Sequence, residues 1–134
     1  TVADGLRMLE QTRVDGLMVG RGADGNPWLF AQLKAALAGE PVPAAPTVDE
    51  RLDLAAEHLQ MLIDYKGETI SVKEMRRHIS AYLKGLPHAA EFRGRFHKVD
   101  TQKQFLELLA EYRHCARNYY EQEKHFTAPI EEKR

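Results

Sequence analysis

The sequence predicts a mainly α chain in two unequal parts, a short α/β piece followed by a bundle of four antiparallel helices. Three observations carry that expectation. Leu17, Met18 and Val19 form an apolar run bounded by Gly16 and Gly20, the pattern of a strand covered on both faces. Pro41, Pro43 and Pro46 fall within six residues and favour extended backbone between two helical stretches. From Thr47 onward, apolar residues recur at helical spacing and no strand pattern returns.

Each element has a local cause. Thr1 offers an N-cap with Asp4 in the first turn, so a helix runs to about Thr12 with Leu6, Met8 and Leu9 as its apolar positions. The strand over Val14–Gly20 follows, then the glycine-dense loop Gly20-Arg21-Gly22-Ala23-Asp24-Gly25. Asn26 and Pro27 open a helix with Trp28, Leu29, Leu33 and Leu37 on one stripe and Gly39 at its end. Residues 40–46 are the linker. Thr47–Glu50 reads as a capping box for a helix that ends at Gly67, and Ser71–Glu74 as a second box for a helix that stops at Gly85. That second helix points Val72, Met75, Ile79, Tyr82 and Leu83 inward. A short helix near Ala89–Lys98 buries Phe92 and Phe96. Thr101–Gln104 opens the last helix, with Phe105, Leu108, Leu109, Tyr112 and Ala116 facing the core; residues 127–134 are a polar tail.

A lone parallel strand leaves its amides and carbonyls without neighbours. Residues 1–39 are therefore expected to be part of a larger sheet, and the chain a fragment that begins inside a domain. An exposed strand edge would also invite pairing with a second copy.

The 134 residues carry 19 basic and 20 acidic side chains and are 43% hydrophobic, which excludes a disordered tail, a collagen or a supercharged nucleic-acid arm. The one cysteine, Cys115, cannot form an internal disulfide, so a reducing, cytoplasmic setting is expected. No apolar run reaches the ~18–20 residues of a membrane span, and the first residues have neither the basic start nor the apolar core of a secretion signal, so none is expected. The six histidines show no metal-ligand spacing, so no metal is expected.

Two places could carry chemistry. Gly20 and Gly22 let backbone amides approach an anion closely, and Arg21 adds a guanidinium that can grip phosphate oxygens; the alternative is a tight turn with Arg21 facing water. Residues 71–98 carry a net charge of +5, against −5 over residues 1–70. Lys73, Arg77, Ser80 and Lys84 share the helix face opposite Val72, Met75 and Ile79, a stripe that suits a phosphate backbone; the alternative is a solvated face. Cys115 reads as a structural thiol. Tyr119 and Tyr120 read as helix packing, with a stacking surface as the other option.

The two signals meet in one resemblance. Asp15-Gly16-Leu17-Met18-Val19-Gly20-Arg21-Gly22-Ala23, followed by Gly25-Asn26-Pro27-Trp28-Leu29-Phe30, resembles the last strand and following helix of the bacterial tRNA-dihydrouridine synthases, with the B-type, nitrogen-regulation-like branch as the nearest match. Lys73-Glu74-Met75-Arg76-Arg77-His78-Ile79-Ser80-Ala81-Tyr82-Leu83-Lys84-Gly85-Leu86-Pro87, with Phe92-Arg93, resembles the same family's C-terminal helical domain. The resemblance implies the last βα portion of a TIM (β/α)8 barrel over 1–39 and a tRNA-binding four-helix domain over 47–126. It implies FMN as cofactor, its phosphate held in part by Gly20, Arg21 and Gly22, with NADPH as reductant. The reaction implied is reduction of the C5–C6 bond of a uridine in tRNA, with tRNA held by Lys73, Arg76, Arg77, Lys84 and Arg93. The family's Asn-Gly-Asp phosphate motif and catalytic cysteine lie upstream of Thr1, and Cys115 does not match the latter, so no catalytic residue is expected here. The isolated chain is accordingly expected to bind no FMN tightly and to reduce nothing. Two competing readings are a helical protein-interaction module and a different FMN- or phosphate-binding barrel enzyme.

Overall fold

A computed structural model describes the backbone of residues 1–126 and the side chains of residues 1–123; the expected polar tail, 127–134, lies outside the described residues. All regular structure among them is helical: α1 (Val2–Thr12), a 3₁₀ turn at Arg21–Ala23, α2 (Trp28–Leu37), α3 (Val48–Lys66), α4 (Glu68–Tyr82), α5 (Ala89–Phe96) and α6 (Gln102–Phe126). No described helix is long and apolar enough to cross a membrane.

The strand expected over Val14–Gly20 is not formed. The segment has no regular structure, with Leu17 and Val19 half-buried and Met18 98% exposed. The cause is the one the lone-strand argument gives: without flanking strands its backbone has no ladder to join, and one face of its apolar run stays in water. α1 and α2 still pack together. Gly5 allows this, because a Cβ there would lie 2.7 Å from Leu33 Cδ2 and 3.2 Å from Leu17 Cδ1. Leu29, Leu33 and Ala35 are the buried residues of α2, whereas α1 has none.

Helices α3 to α6 share one core, with Leu52, Leu59, Val72, Met75, Ile79, Leu83, Phe96, Phe105 and Tyr112 fully buried. Long-range pairs set the directions. Arg51 at the start of α3 donates to the Lys84 carbonyl past the end of α4 at 3.0 Å, and Lys66 at the end of α3 meets Glu74 at 2.6 Å, so the two helices are antiparallel. Gln102 meets Gln60 at 2.7 Å, while Arg113 donates to Asp49 at 2.6 Å and Arg117 to the same carboxylate at 3.0 Å, so α6 also runs against α3. Phe96 against Phe105 and Phe92 against Tyr112 set α5 antiparallel to α6.

The capping box expected at Thr47 forms, and the N-cap at Thr1 and the helix start at Thr101 prove to be boxes as well. At Thr1 and Thr47 the hydroxyl accepts the amide of Asp4 and Glu50 at 3.2 Å, and Thr101 accepts that of Gln104 at 3.2 Å. The box expected at Ser71 does not form. Gly67, at φ 82°, turns the chain in a single residue and starts α4 one turn earlier. Ser71 is then a fully buried interior residue whose hydroxyl donates back to the Gly67 carbonyl at 2.6 Å.

The α3–α4 seam also contains a histidine pair. The rings of His58 and His78 lie 4.8 Å apart, and His58 Nδ1 sits 3.2 Å from the Tyr82 hydroxyl. Burial, with the nearby His78 charge, lowers the His58 pKa from its ordinary 6.5, against the pull of Glu74. The folded state thus binds fewer protons than the unfolded chain just below that value. Its stability contribution is complete above pH 6.5 and is lost as pH falls through the depressed value. Thermal melts should therefore show a midpoint that drops on acidification below pH 6.5, and His58→Gln should make that drop shallower.

Candidate functional site

The loop after residues 14–20 is seated on the helical unit by one residue. Gly25 has φ +65°, and a Cβ there would lie 2.5 Å from the Ala81 carbonyl carbon and 2.6 Å from the Tyr82 nitrogen. Only glycine lets the loop backbone lie against the last turn of α4. Gln32 of α2 adds a second hold by donating to the Pro43 carbonyl at 3.2 Å, which fastens the linker back onto the N-terminal part.

This seating encloses a cavity of about 370 Å³ between the two parts. Arg21 and Gly22 line it from the loop, Gln32 from α2, Arg51 from α3 and Lys84 from the turn after α4. Within the loop, the amides of Ala23 and Asp24 close the 3₁₀ turn onto the carbonyls of Gly20 and Arg21 at 3.1 and 3.2 Å. No backbone bond takes the amides of Arg21 and Gly22. Nothing lies within 4 Å of a Cβ built at Gly20. The loop therefore keeps two amides and a guanidinium with no carboxylate partner among the described residues, a donor set that fits a phosphate monoester.

The candidate residues of the second signal divide. Lys73 and Arg77 are exposed on α4, which ends at Tyr82, so Lys84 lies exposed in the turn beyond it rather than on the helix face expected for it; none of the three has an ion-pair partner among the described residues. Arg93 on α5 is half-buried and likewise without a carboxylate partner among them. Arg76 is different. Its Nε and Nη2 both donate to the Val99 carbonyl, at 3.0 and 2.7 Å, and Nη2 reaches Asp100 at 2.7 Å. It ties α4 to the connection between α5 and α6. Arg95 is similarly engaged, donating through both terminal nitrogens to Glu111 and lying over the Phe92 ring.

The sequence gives no sign of what Arg51 and Gly25 do in the fold. Arg51 reads there as one more charged residue in the first turn of α3, and its contact with Lys84 spans 33 positions. Gly25 was visible as a loop glycine, but its close approach to α4 depends on the fold. Cys115 is half-buried against the core, and no group of three described His, Cys, Asp or Glu residues could hold a metal ion.

A Gly-Arg-Gly turn thus meets a helical unit that carries an exposed basic stretch. Residues 1–119 match the dihydrouridine synthase family model, and the chain belongs to that family. A probable tRNA-dihydrouridine synthase of Rickettsia conorii is 40% identical over 104 residues, covering 78% of this chain and 31% of the relative. One from Mycobacterium leprae is 40% identical over 99 residues, covering 74% of this chain and 26% of the relative. The tRNA-dihydrouridine synthase B of Pseudomonas aeruginosa is 42% identical over 100 residues, covering 73% of this chain and 30% of the relative. The chain thus spans about a quarter to a third of the length of these relatives.

Proposed function

We propose that this chain is the C-terminal part of an FMN-dependent tRNA-dihydrouridine synthase. Residues 1–39 form the end of its TIM barrel, 40–46 a linker and 47–126 a four-helix tRNA-binding domain. The observation that carries the reading is the meeting of the Gly20–Gly22 loop with Lys84, in the turn beyond α4, in one cavity. Gly20, Arg21 and Gly22 would hold the FMN phosphate through amides and a guanidinium. When bound, FMN supplies hydride for the C5–C6 bond of a tRNA uridine, with NADPH as the source of reducing equivalents. The residues of this chain do the holding, and the proton donor belongs to the upstream barrel.

Two further observations support the barrel reading. Leu17, Val19, Phe30 and Leu37 line an apolar cleft of about 270 Å³ on the outer side of α2. The unpaired segment beside it has the sequence of a strand. In the longer protein, neighbouring strands would cover both; in the isolated chain, a second copy could pair there instead. A tRNA substrate places the enzyme in the cytoplasm.

Lys73 and Arg77 on α4 and Lys84 in the turn after it would contact backbone phosphates, with Arg93 contributing from α5, and so supply affinity and register without reading bases. Arg76 shapes that face through its hold on Val99 rather than by offering a free charge. The test is a salt titration of tRNA binding. Replacing Lys73, Arg77 and Lys84 together by Gln should weaken binding at low salt and flatten the log–log salt slope by about three phosphate contacts. An unchanged slope with unchanged affinity would remove this face from the RNA interface.

A further inference from the structure

We propose that an unpaired RNA base stacks on the aromatic rings of Tyr119, Tyr120 and His88 at the corner between α4 and α5. The proposal deepens the RNA-binding reading and rests on it.

The core-facing stripe of α6 ends at Ala116, which is 1% exposed, whereas Tyr119 and Tyr120 are 37% and 38% exposed. These rings extend beyond the packed interior. They stand perpendicular, with centroids 5.5 Å apart, and His88 meets Tyr119 edge-on at 5.8 Å. His88 is held there by its own backbone, at φ 54° immediately before α5. The Tyr119 hydroxyl donates to Glu123 at 2.9 Å, which limits rotation of that ring. Three edge-to-face rings with substantial open surface form a platform that accepts any base, because every base has a π-face.

The surroundings supply a path for the backbone. Tyr112 donates to the Pro87 carbonyl at 2.8 Å and pins the loop that carries His88. Arg51 is near enough to Tyr112 and Tyr120 to interact electrostatically with both, and Arg93 is near Tyr112. Lys84 lies four residues before His88, in the turn that follows α4. Glu121 and Glu123 follow the tyrosines on α6 and disfavour phosphate on that side. A strand running along Lys84 toward Arg93 would therefore keep its phosphates on the cationic side and turn a base onto the rings. Only a nucleotide outside a helix can do this, because paired bases are already stacked.

The experiment uses the 134-residue chain, an unmodified tRNA transcript and a blunt, fully paired RNA duplex. Tyr119→Ala and Tyr120→Ala should each weaken tRNA binding by about fivefold to a hundredfold, leave the salt slope unchanged and leave duplex binding unaltered. Tyr119→Phe and Tyr120→Phe, which keep the ring, should bind tRNA within about twofold of the unaltered chain. Ala variants that fold, bind tRNA normally and leave the Lys73/Arg77/Lys84 effect intact would overturn the stacking proposal while the RNA face stands. Equal losses for tRNA and duplex would overturn it too. Absence of salt-dependent tRNA binding by the unaltered chain would overturn both.

Discussion

Gly25→Ala should release the N-terminal part of the chain from the helical unit, at a cost of about 2–4 kcal/mol in the stability of the joint. Two effects add. An L-residue at φ +65° is strained by roughly 1 kcal/mol, and the new methyl would lie 2.5 Å from backbone rather than from the end of a yielding side chain. The last turn of α4 cannot move aside easily, since Arg51 holds the Lys84 carbonyl and Leu83 is fully buried. The loop must therefore lift. Hydrogen exchange should show new opening of α2 and the 3₁₀ turn, while the amides of α3 and α6 keep their protection. A variant with unchanged exchange in α2 would show that the seat is not set by the absence of a Cβ at position 25.

Arg76 and Arg77 are sequence neighbours for which opposite outcomes are expected. Arg76→Ala removes two hydrogen bonds to the Val99 carbonyl and should destabilise the helical unit by about 1.5–3 kcal/mol, with little change in RNA affinity per folded molecule. Its ion pair with Asp100 contributes little to that figure, because the carboxylate is 73% exposed. Arg77→Ala should leave the melting temperature within about 1 °C and weaken tRNA binding with loss of about one unit of salt slope. Urea unfolding and salt-dependent binding, measured on both variants, separate the roles. Matched losses in both assays for both residues would mean that the division drawn from the geometry is wrong.

What was legible in the sequence follows the range of the interaction responsible. The box at Thr47, the N-cap at Thr1 and the helix start at Thr101 each rest on residues three apart, and each stands where its pattern puts it. The apolar stripes of α4, α5 and α6 were equally plain, since helical periodicity selects a buried face before any partner is known. Ser71 misled because the same four-residue pattern also occurs inside a helix, and here Gly67 had already turned the chain. The apolar run at Leu17–Val19 reads as a strand and none forms there, because a strand is completed only by neighbours it can pair with. Of the candidate site, the loop and the exposed basic face could be read directly. Their meeting in one cavity could not, nor could the diversion of Arg76 to a carbonyl 23 positions away.

The seat at Gly25 changes what the proline-rich stretch is for. If the loop and α4 are fixed against each other by direct contact, and Gln32 clips Pro43 in passing, residues 40–46 do not set the separation between Arg21 and Lys84. They are slack in a joint already closed. A few extra residues inserted there should leave the spacing between Arg21 and Lys84 as it is, because one glycine sets it.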